Sequence, residues 1–163
     1  MNDEERLESQ WGRALVHESG HALMAVRQMI PCDGIYYMKT YRKVCNVAYL
    51  PPISGYSPEH FLFHSAGSAA ELLTYGDYDR DASKSDRLPF EGVGAPTYEE
   101  TVGKSRSILA MHSAILKGLV STLKSKCLQI SLDLNALPEI HIAGIGDTLG
   151  VLLSKQEFED KTR

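Results

Sequence analysis

Two histidines four residues apart, with a glutamate between them, are the strongest chemical signal in the sequence. The segment His17-Glu18-Ser19-Gly20-His21 matches the pattern His-Glu-x-x-His. On a helix, residues four apart have Cβ atoms roughly 5–6 Å apart, so both imidazoles can bind one Zn²⁺ ion. The Glu18 carboxylate can then reach a water molecule at the open position of the metal and act as general base. The spacing predicts one zinc ion per chain and a metallopeptidase of the HExxH type.

The residues around the motif predict that it lies in a buried helix. Ala14, Leu15 and Val16 precede it, and Ala22 and Leu23 follow it. Burying two imidazoles and a carboxylate without partners is strongly unfavourable, so a metal or a dense hydrogen-bond network must compensate. We favour the metal over a set of hydrogen-bonded core residues.

A catalytic zinc site needs a third protein ligand and leaves the fourth position to water. Glu71 and Asp86 are the carboxylate candidates, and the spacing alone does not choose between them. The remaining histidines are weaker candidates, because a lone histidine is more often a surface or core residue than a ligand: His60, His64, His112 and His141.

The chain around the motif predicts mostly helices. Residues 34–50 differ, because their aromatic and β-branched residues favour a β-hairpin. The predicted helices span residues 2–29, 57–76, 97–126 and 148–158, with one helical turn at 83–88 inside a loop over 76–96. We expect one domain over 1–163, mainly α (α+β), with a small β-hairpin or sheet beside the helix that carries His17 and His21.

Three segments resemble the FtsH family of membrane-anchored, ATP-dependent zinc proteases. Ala14-Leu15-Val16-His17-Glu18-Ser19-Gly20-His21-Ala22-Leu23 is similar to the zinc helix of the family, whose pattern is close to His-Glu-Ala-Gly-His-Ala. Ala66-Gly67-Ser68-Ala69-Ala70-Glu71-Leu72-Leu73 resembles the family stretch Gly-Gly-Arg-Ala-Ala-Glu-Glu-Leu. Ser83-Lys84-Ser85-Asp86 lies where the family has Gly-Ala-Ser-Asn-Asp, whose aspartate is the third zinc ligand.

The resemblance implies a ligand set and a substrate-binding strand. His17, His21 and Asp86 would bind zinc, Glu18 would be catalytic, and Glu71 would support the site. The hairpin falls where the family has strands beside the active site, one of which binds extended substrate at its edge. The candidate residues of that strand are Val44, Asn46 and Ala48.

The sequence also departs from that family. It contains no Gly-x-x-x-x-Gly-Lys-[Ser/Thr] pattern and no run of about 18 apolar residues. Ser68 replaces the arginine of the family stretch. We therefore expect a stand-alone, ATP-independent peptidase without a membrane segment.

Composition excludes other classes of function. A net charge of −4 with no basic stretch disfavours a nucleic-acid partner. Cys32, Cys45 and Cys127 are odd in number and lack Cys-x-x-Cys spacing, which disfavours a disulfide framework and a cysteine-bound zinc. The first residues lack the apolar core of a signal peptide. These features favour a cytoplasmic protein.

Three functional hypotheses follow. The leading one is a zinc metalloendopeptidase that hydrolyses flexible peptides or unfolded segments and is compatible with a homo-oligomer. The alternative is a catalytically silent zinc-binding domain that recognises extended peptides through the hairpin edge. The third is a helical interaction domain in which the motif is accidental.

Overall fold

Seven α-helices and four β-strands form the chain, and the computed structural model describes residues 1–163. The helices are α1 (Asp3–Leu7), α2 (Arg13–Arg27), α3 (Pro58–Tyr75), α4 (Lys84–Arg87), α5 (Tyr98–Met111), α6 (Ser113–Gln129) and α7 (Lys155–Thr162). The strands are β1 (Cys32–Met38), β2 (Lys43–Ala48), β3 (Glu139–Ile140) and β4 (Leu149–Leu153). The predicted mainly α (α+β) class is confirmed. No helix combines the length and the apolarity needed to span a bilayer.

Polar residues begin the helices where the sequence predicts. The Asn2 side chain accepts a hydrogen bond from the backbone N–H of Glu5, and the Thr97 side chain accepts one from Glu100. These contacts satisfy N–H groups that have no partner inside the helix. At the other end of α3, Gly76 adopts φ = 80°, a left-handed conformation that glycine tolerates and that ends the helix.

The first predicted helix is interrupted before the histidine motif. A π-helical turn at Glu8–Gly12 separates α1 from α2. A π turn adds one residue to a helical turn and so changes which residues face the core. Leu7 is buried, and the Trp11 ring packs edge-on against Tyr37 with 5.7 Å between ring centroids. Leu7 therefore lies in the core just before the π turn, and Trp11, within the turn, packs against the core.

Two other predicted helices are corrected by the structure. The helix predicted over 97–126 divides at His112, because α5 packs against α3 whereas α6 turns to pack against α1 and α2. The helix predicted over 148–158 is wrong for its first half, which is strand β4. Gly150 lets this strand lie close to Leu137, because a Cβ atom there would be 3.0 Å from the Leu137 Cβ. The Ser154 side chain then begins α7.

The four strands form one antiparallel sheet in the order β2-β1-β4-β3, so β2 is an edge strand. The register pairs Tyr37 with Val44 and Ile35 with Asn46. Ile35, Tyr37 and Val44 are buried in the main core, and α2 packs beside β1 and β2. The predicted hairpin over 34–50 is confirmed, and its edge strand lies beside the helix that carries His17 and His21.

Small residues bring α2 and α3 into close contact. A Cβ atom on Gly20 would lie 2.5 Å from the Ala66 carbonyl oxygen and 2.5 Å from the Ala70 Cβ, so any larger residue would push the helices apart. The neighbouring residues Ser65, Gly67 and Ser68 on α3 are buried as well. This crossing brings the backbone of α3 directly beside the histidine side chains of α2.

Candidate metal centre

Three potential metal ligands converge at one point. The two Nε2 atoms of His17 and His21 are 3.0 Å apart, and each lies 3.1 Å from Asp86 Oδ2. In a tetrahedral site with bonds of about 2.0–2.1 Å, ligand atoms lie roughly 3.3 Å from one another. Two imidazole nitrogens and one carboxylate oxygen also form a donor set that zinc accepts. The three side chains therefore fit a zinc ion with one coordination position free.

Hydrogen bonds on the far side of each imidazole fix its orientation. His17 Nδ1 lies 2.8 Å from Glu71 Oε2, and His21 Nδ1 lies 2.7 Å from the Phe63 carbonyl oxygen. When each Nδ1–H donates to its oxygen, each Nε2 keeps its lone pair for a metal. This second set of contacts is typical of histidine ligands, because it fixes both the ring and its tautomer.

Glu71 lies on the opposite side of the His17 ring from Asp86. Its side chain is only 2% exposed, and its second oxygen accepts a hydrogen bond from the Arg13 guanidinium at 3.1 Å. Both Glu71 oxygens are thus engaged away from the three converging ligand atoms. Of the two carboxylates that the spacing left open, Asp86 lies among these atoms and Glu71 supports His17.

Asp86 reaches the cluster from α4, and a buried hydroxyl network holds the start of that helix. Ser83 Oγ lies 3.0 Å from Ser68 Oγ, which in turn lies 2.6 Å from the Tyr98 hydroxyl. All three residues are buried. No sequence pattern predicts this network. Its only signal is a serine at position 68, within the run of small residues on α3.

The remaining histidines differ in their relation to the cluster. His64 Nδ1 is buried without a hydrogen-bond partner, 3.7 Å from Asp86 Oδ1, and its Nε2 lies 2.8 Å from the Tyr56 hydroxyl. His60 Nδ1 instead accepts a hydrogen bond from the backbone N–H of Ser57. His112 lies between α5 and α6, and His141 is exposed. None of the four is part of the ligand group.

The protonation of the cluster is set by its charges. Burial opposes a charged His17 ring, but hydrogen bonds to Asp86 and Glu71 outweigh burial and raise the pKa of His17 to about 10. Burial also opposes charge on His21, and attraction to Asp86 outweighs it, so the pKa of His21 is raised. Burial opposes the charged form of Asp86, but attraction to His21 and the histidine hydrogen bonds together outweigh it and hold the pKa of Asp86 below its usual range. The cluster therefore stabilises positive charge.

Gly67 provides the room that the ligands need. A Cβ atom at this position would lie 2.4 Å from His17 Nε2 and 2.6 Å from His21 Nε2. These are the two atoms that face the cluster, so a methyl group would displace at least one imidazole. The convergence of the two imidazoles therefore requires glycine at position 67.

Gly67→Ala is expected to weaken zinc binding at least tenfold, because the added methyl group contacts both ligand nitrogens. Overpacking of this kind typically costs about 1–3 kcal/mol, so the melting temperature of the metal-free protein should also fall. Competition with a chelator of known affinity measures the first effect, and thermal denaturation in the presence of chelator measures the second.

Gly103→Ala is the matched control, because a Cβ atom there has open space and the residue lies in helix α5. This control should keep the zinc affinity of the unmodified chain and gain slight stability from the higher helix propensity of alanine. Unchanged zinc affinity in Gly67→Ala would contradict the placement of the metal.

Glu18 borders a cleft beside the ligand group. The cleft has a volume of about 460 Å³ and is bounded on one side by the edge strand β2. Val44 and Asn46, two of the three predicted substrate-strand residues, line it. The third, Ala48, instead packs against the small apolar cluster of Ala25, Ile30 and Phe63.

The structure also shows a contact that the sequence did not predict. Asn46 Nδ2 donates a hydrogen bond to Glu18 Oε2 at 2.6 Å. Sequence reasoning proposed Asn46 only as a strand residue that would contact substrate. Its side chain instead reaches the proposed general base.

No protein-family model, curated protein or solved structure matches the chain. Two features of the chain itself indicate a function: the convergence of His17, His21 and Asp86, and the position of Glu18 beside an open cleft.

Proposed function

We propose that the protein is a zinc metalloendopeptidase that hydrolyses flexible peptides or unfolded segments without ATP. The observation that carries this proposal is the convergence of His17 Nε2, His21 Nε2 and Asp86 Oδ2 beside Glu18 in one cleft. The resemblance of segments 14–23, 66–73 and 83–86 to FtsH-family proteases supports the same chemistry.

Zinc in such a site supplies a Lewis acid that polarises the scissile carbonyl and lowers the pKa of water. His17, His21 and Asp86 would hold the ion, and Glu71 and the Phe63 carbonyl oxygen would keep the imidazoles oriented. A zinc ion held by two neutral imidazoles and one carboxylate would keep a net positive charge, because the single carboxylate neutralises only part of the charge of Zn²⁺. This charge favours the negatively charged oxygen that develops during attack on a peptide carbonyl.

Glu18 performs the proton transfers in this proposal. Its carboxylate accepts the proton of the attacking water and later delivers it to the leaving amine nitrogen. The residue follows His17 directly in sequence, so the same helix that holds the ligands also fixes the base. Because Glu18 borders the cleft, its carboxylate is accessible to both water and substrate.

The position of β2 supports an extended polypeptide as substrate. An extended peptide can add to the free edge of a sheet through main-chain hydrogen bonds. The edge of β2 lies along the same cleft as Glu18 and the ligand group. Most of the backbone of a folded protein is already paired in its own structure, so the proposed substrates are flexible chains.

The direct test is zinc content together with turnover of an unfolded polypeptide. The purified chain should bind about one zinc ion. It should also cleave a reduced, alkylated protein carrying a quenched fluorophore, with no ATP present. A chelator should abolish cleavage, and added zinc should restore it. Failure to bind zinc would refute the metal site.

The edge strand also favours a second candidate, a zinc-binding domain that recognises extended peptides without cleaving them. This candidate needs the same ligand group and the same exposed strand, but it does not need Glu18 as a base. Zinc-dependent binding of unfolded polypeptide without any turnover would favour it over the peptidase.

A further inference from the structure

Asn46 carries an amide side chain at a position on β2 that, by the alternation of side chains along the strand, faces the core. Side chains two residues apart on a strand point to the same face. Val44 points inward and is buried beside α2, and Asn46 is the next residue on that face. Its partner across the strand pair, Ile35, is fully buried. A polar residue at such a position needs a hydrogen-bond partner.

Glu18 is that partner. The Asn46 amide donates to Glu18 Oε2 at 2.6 Å and links the edge strand to the helix of the histidine motif, 28 residues away in sequence. Both residues line the cleft beside the ligand group. A short hydrogen bond from an amide to a carboxylate is directional, and it restricts rotation of the glutamate side chain.

We propose that Asn46 is a positioning residue that aims the Glu18 carboxylate into the cleft, an inference that rests on the proposed peptidase function. With Oε2 held by the amide, Oε1 is the oxygen left to accept a proton from water. The amide is neutral, so it orients Glu18 without cancelling the negative charge that a base requires. A lysine at position 46, like the Lys43 that also lines the cleft, would instead form an ion pair with the Glu18 carboxylate.

Asn46 lies on the strand proposed to bind substrate, so two roles must be distinguished: orienting the Glu18 carboxylate and binding the substrate. A residue that orients the base acts on the chemical step and lowers kcat when it is replaced. A residue that binds substrate equally in the ground and transition states raises KM instead. The positioning role predicts the first result.

The experiment compares Asn46→Leu, which has a similar shape but no donor, with Asn46→Gln, which keeps an amide. In Asn46→Leu, kcat should fall about tenfold to hundredfold, as expected for a misplaced catalytic group, while KM and zinc affinity change little. Asn46→Gln should recover part of the lost kcat. Asn135→Leu is the matched control, because Asn135 is exposed and does not line the cleft, so the same substitution there should leave kcat and KM unchanged.

A second measurement does not depend on turnover. In the zinc-loaded protein, the side-chain amide protons of Asn46 should shift upfield in an ¹H–¹⁵N spectrum when Glu18 is replaced by glutamine, because the charged acceptor is lost. An unchanged amide resonance would overturn the hydrogen bond. A raised KM with unchanged kcat in Asn46→Leu would overturn the positioning role in favour of substrate binding.

The proposed function and this inference fail in different ways. If the unmodified chain binds zinc but cleaves nothing, the peptidase proposal fails, and the positioning role in catalysis fails with it even if the amide resonance confirms the bond. If the unmodified chain cleaves and Asn46→Leu cleaves with the same kcat, only the inference about Asn46 fails.

Discussion

Glu18→Gln is expected to lower kcat about 10²–10⁴-fold while the protein still binds zinc with nearly unchanged affinity. General base catalysis typically contributes about 10²–10⁴-fold. Glutamine has almost the same shape as glutamate, and its carbonyl oxygen can still accept the hydrogen bond from the Asn46 amide. It cannot take a proton from water, however, so only the chemical step should suffer. Steady-state kinetics and metal analysis of the same sample separate the two effects.

Glu100→Gln serves as the control for this experiment. Glu100 is exposed in the first turn of α5, and its substitution removes the same charge from the chain. The control should keep full activity. Undiminished kcat in Glu18→Gln would exclude Glu18 as the base, whereas loss of zinc from that variant would show that the substitution disturbs the ligand group.

Asp86→Ala is expected to weaken zinc binding more than any other single change outside the two histidines. Asp86 Oδ2 lies 3.1 Å from both Nε2 atoms, so its removal deletes one of three donors and the only negative charge among them. Loss of a residue that supports a ligand typically costs about 10–100-fold in metal affinity. We expect Glu71→Ala to fall within that range and Asp86→Ala to exceed it. Competition with a chelator measures both constants.

Asp81→Ala is the control for general loss of negative charge, because Asp81 is exposed in the loop before α4. It should bind zinc as the unmodified chain does. Circular dichroism in the presence of chelator should show that the three variants remain folded. A larger loss for Glu71→Ala than for Asp86→Ala would reverse the two roles and make Glu71 the third ligand.

The parts of the fold that sequence predicted correctly depend on local interactions. His17 and His21 lie one helical turn apart, so helix geometry alone places both rings on one face. The caps at Asn2 and Thr97 involve residues three positions apart. The hairpin is formed by neighbouring strands joined by a short turn. Each of these patterns is contained in a few consecutive residues.

The parts that sequence did not predict depend on contacts between distant residues. Strand β4 lies in the middle of the sheet, but its apolar run is equally compatible with a buried helix. The long predicted helix divides at His112 because α5 and α6 pack against different helices, and no local sequence pattern predicts those contacts. The approach of Asp86 to the two histidines depends on a fold that joins residues 65 positions apart. Spacing left both Glu71 and Asp86 as candidates, and only the family resemblance favoured Asp86 as the third ligand.

The glycine-mediated crossing of α2 and α3 has a consequence for how the ion would be acquired. Gly20 lies against Ala66 and Ala70, and Gly67 lies against both rings, so helix packing, together with the hydrogen bonds on the far side of each imidazole, positions the two nitrogen atoms. In small metal-binding domains that fold only with their ion, much of the free energy of metal binding offsets the cost of ordering the chain. We therefore expect zinc binding to change the helical fold of this protein little. Stripping the ion should then leave the helical scaffold intact and ready to reload.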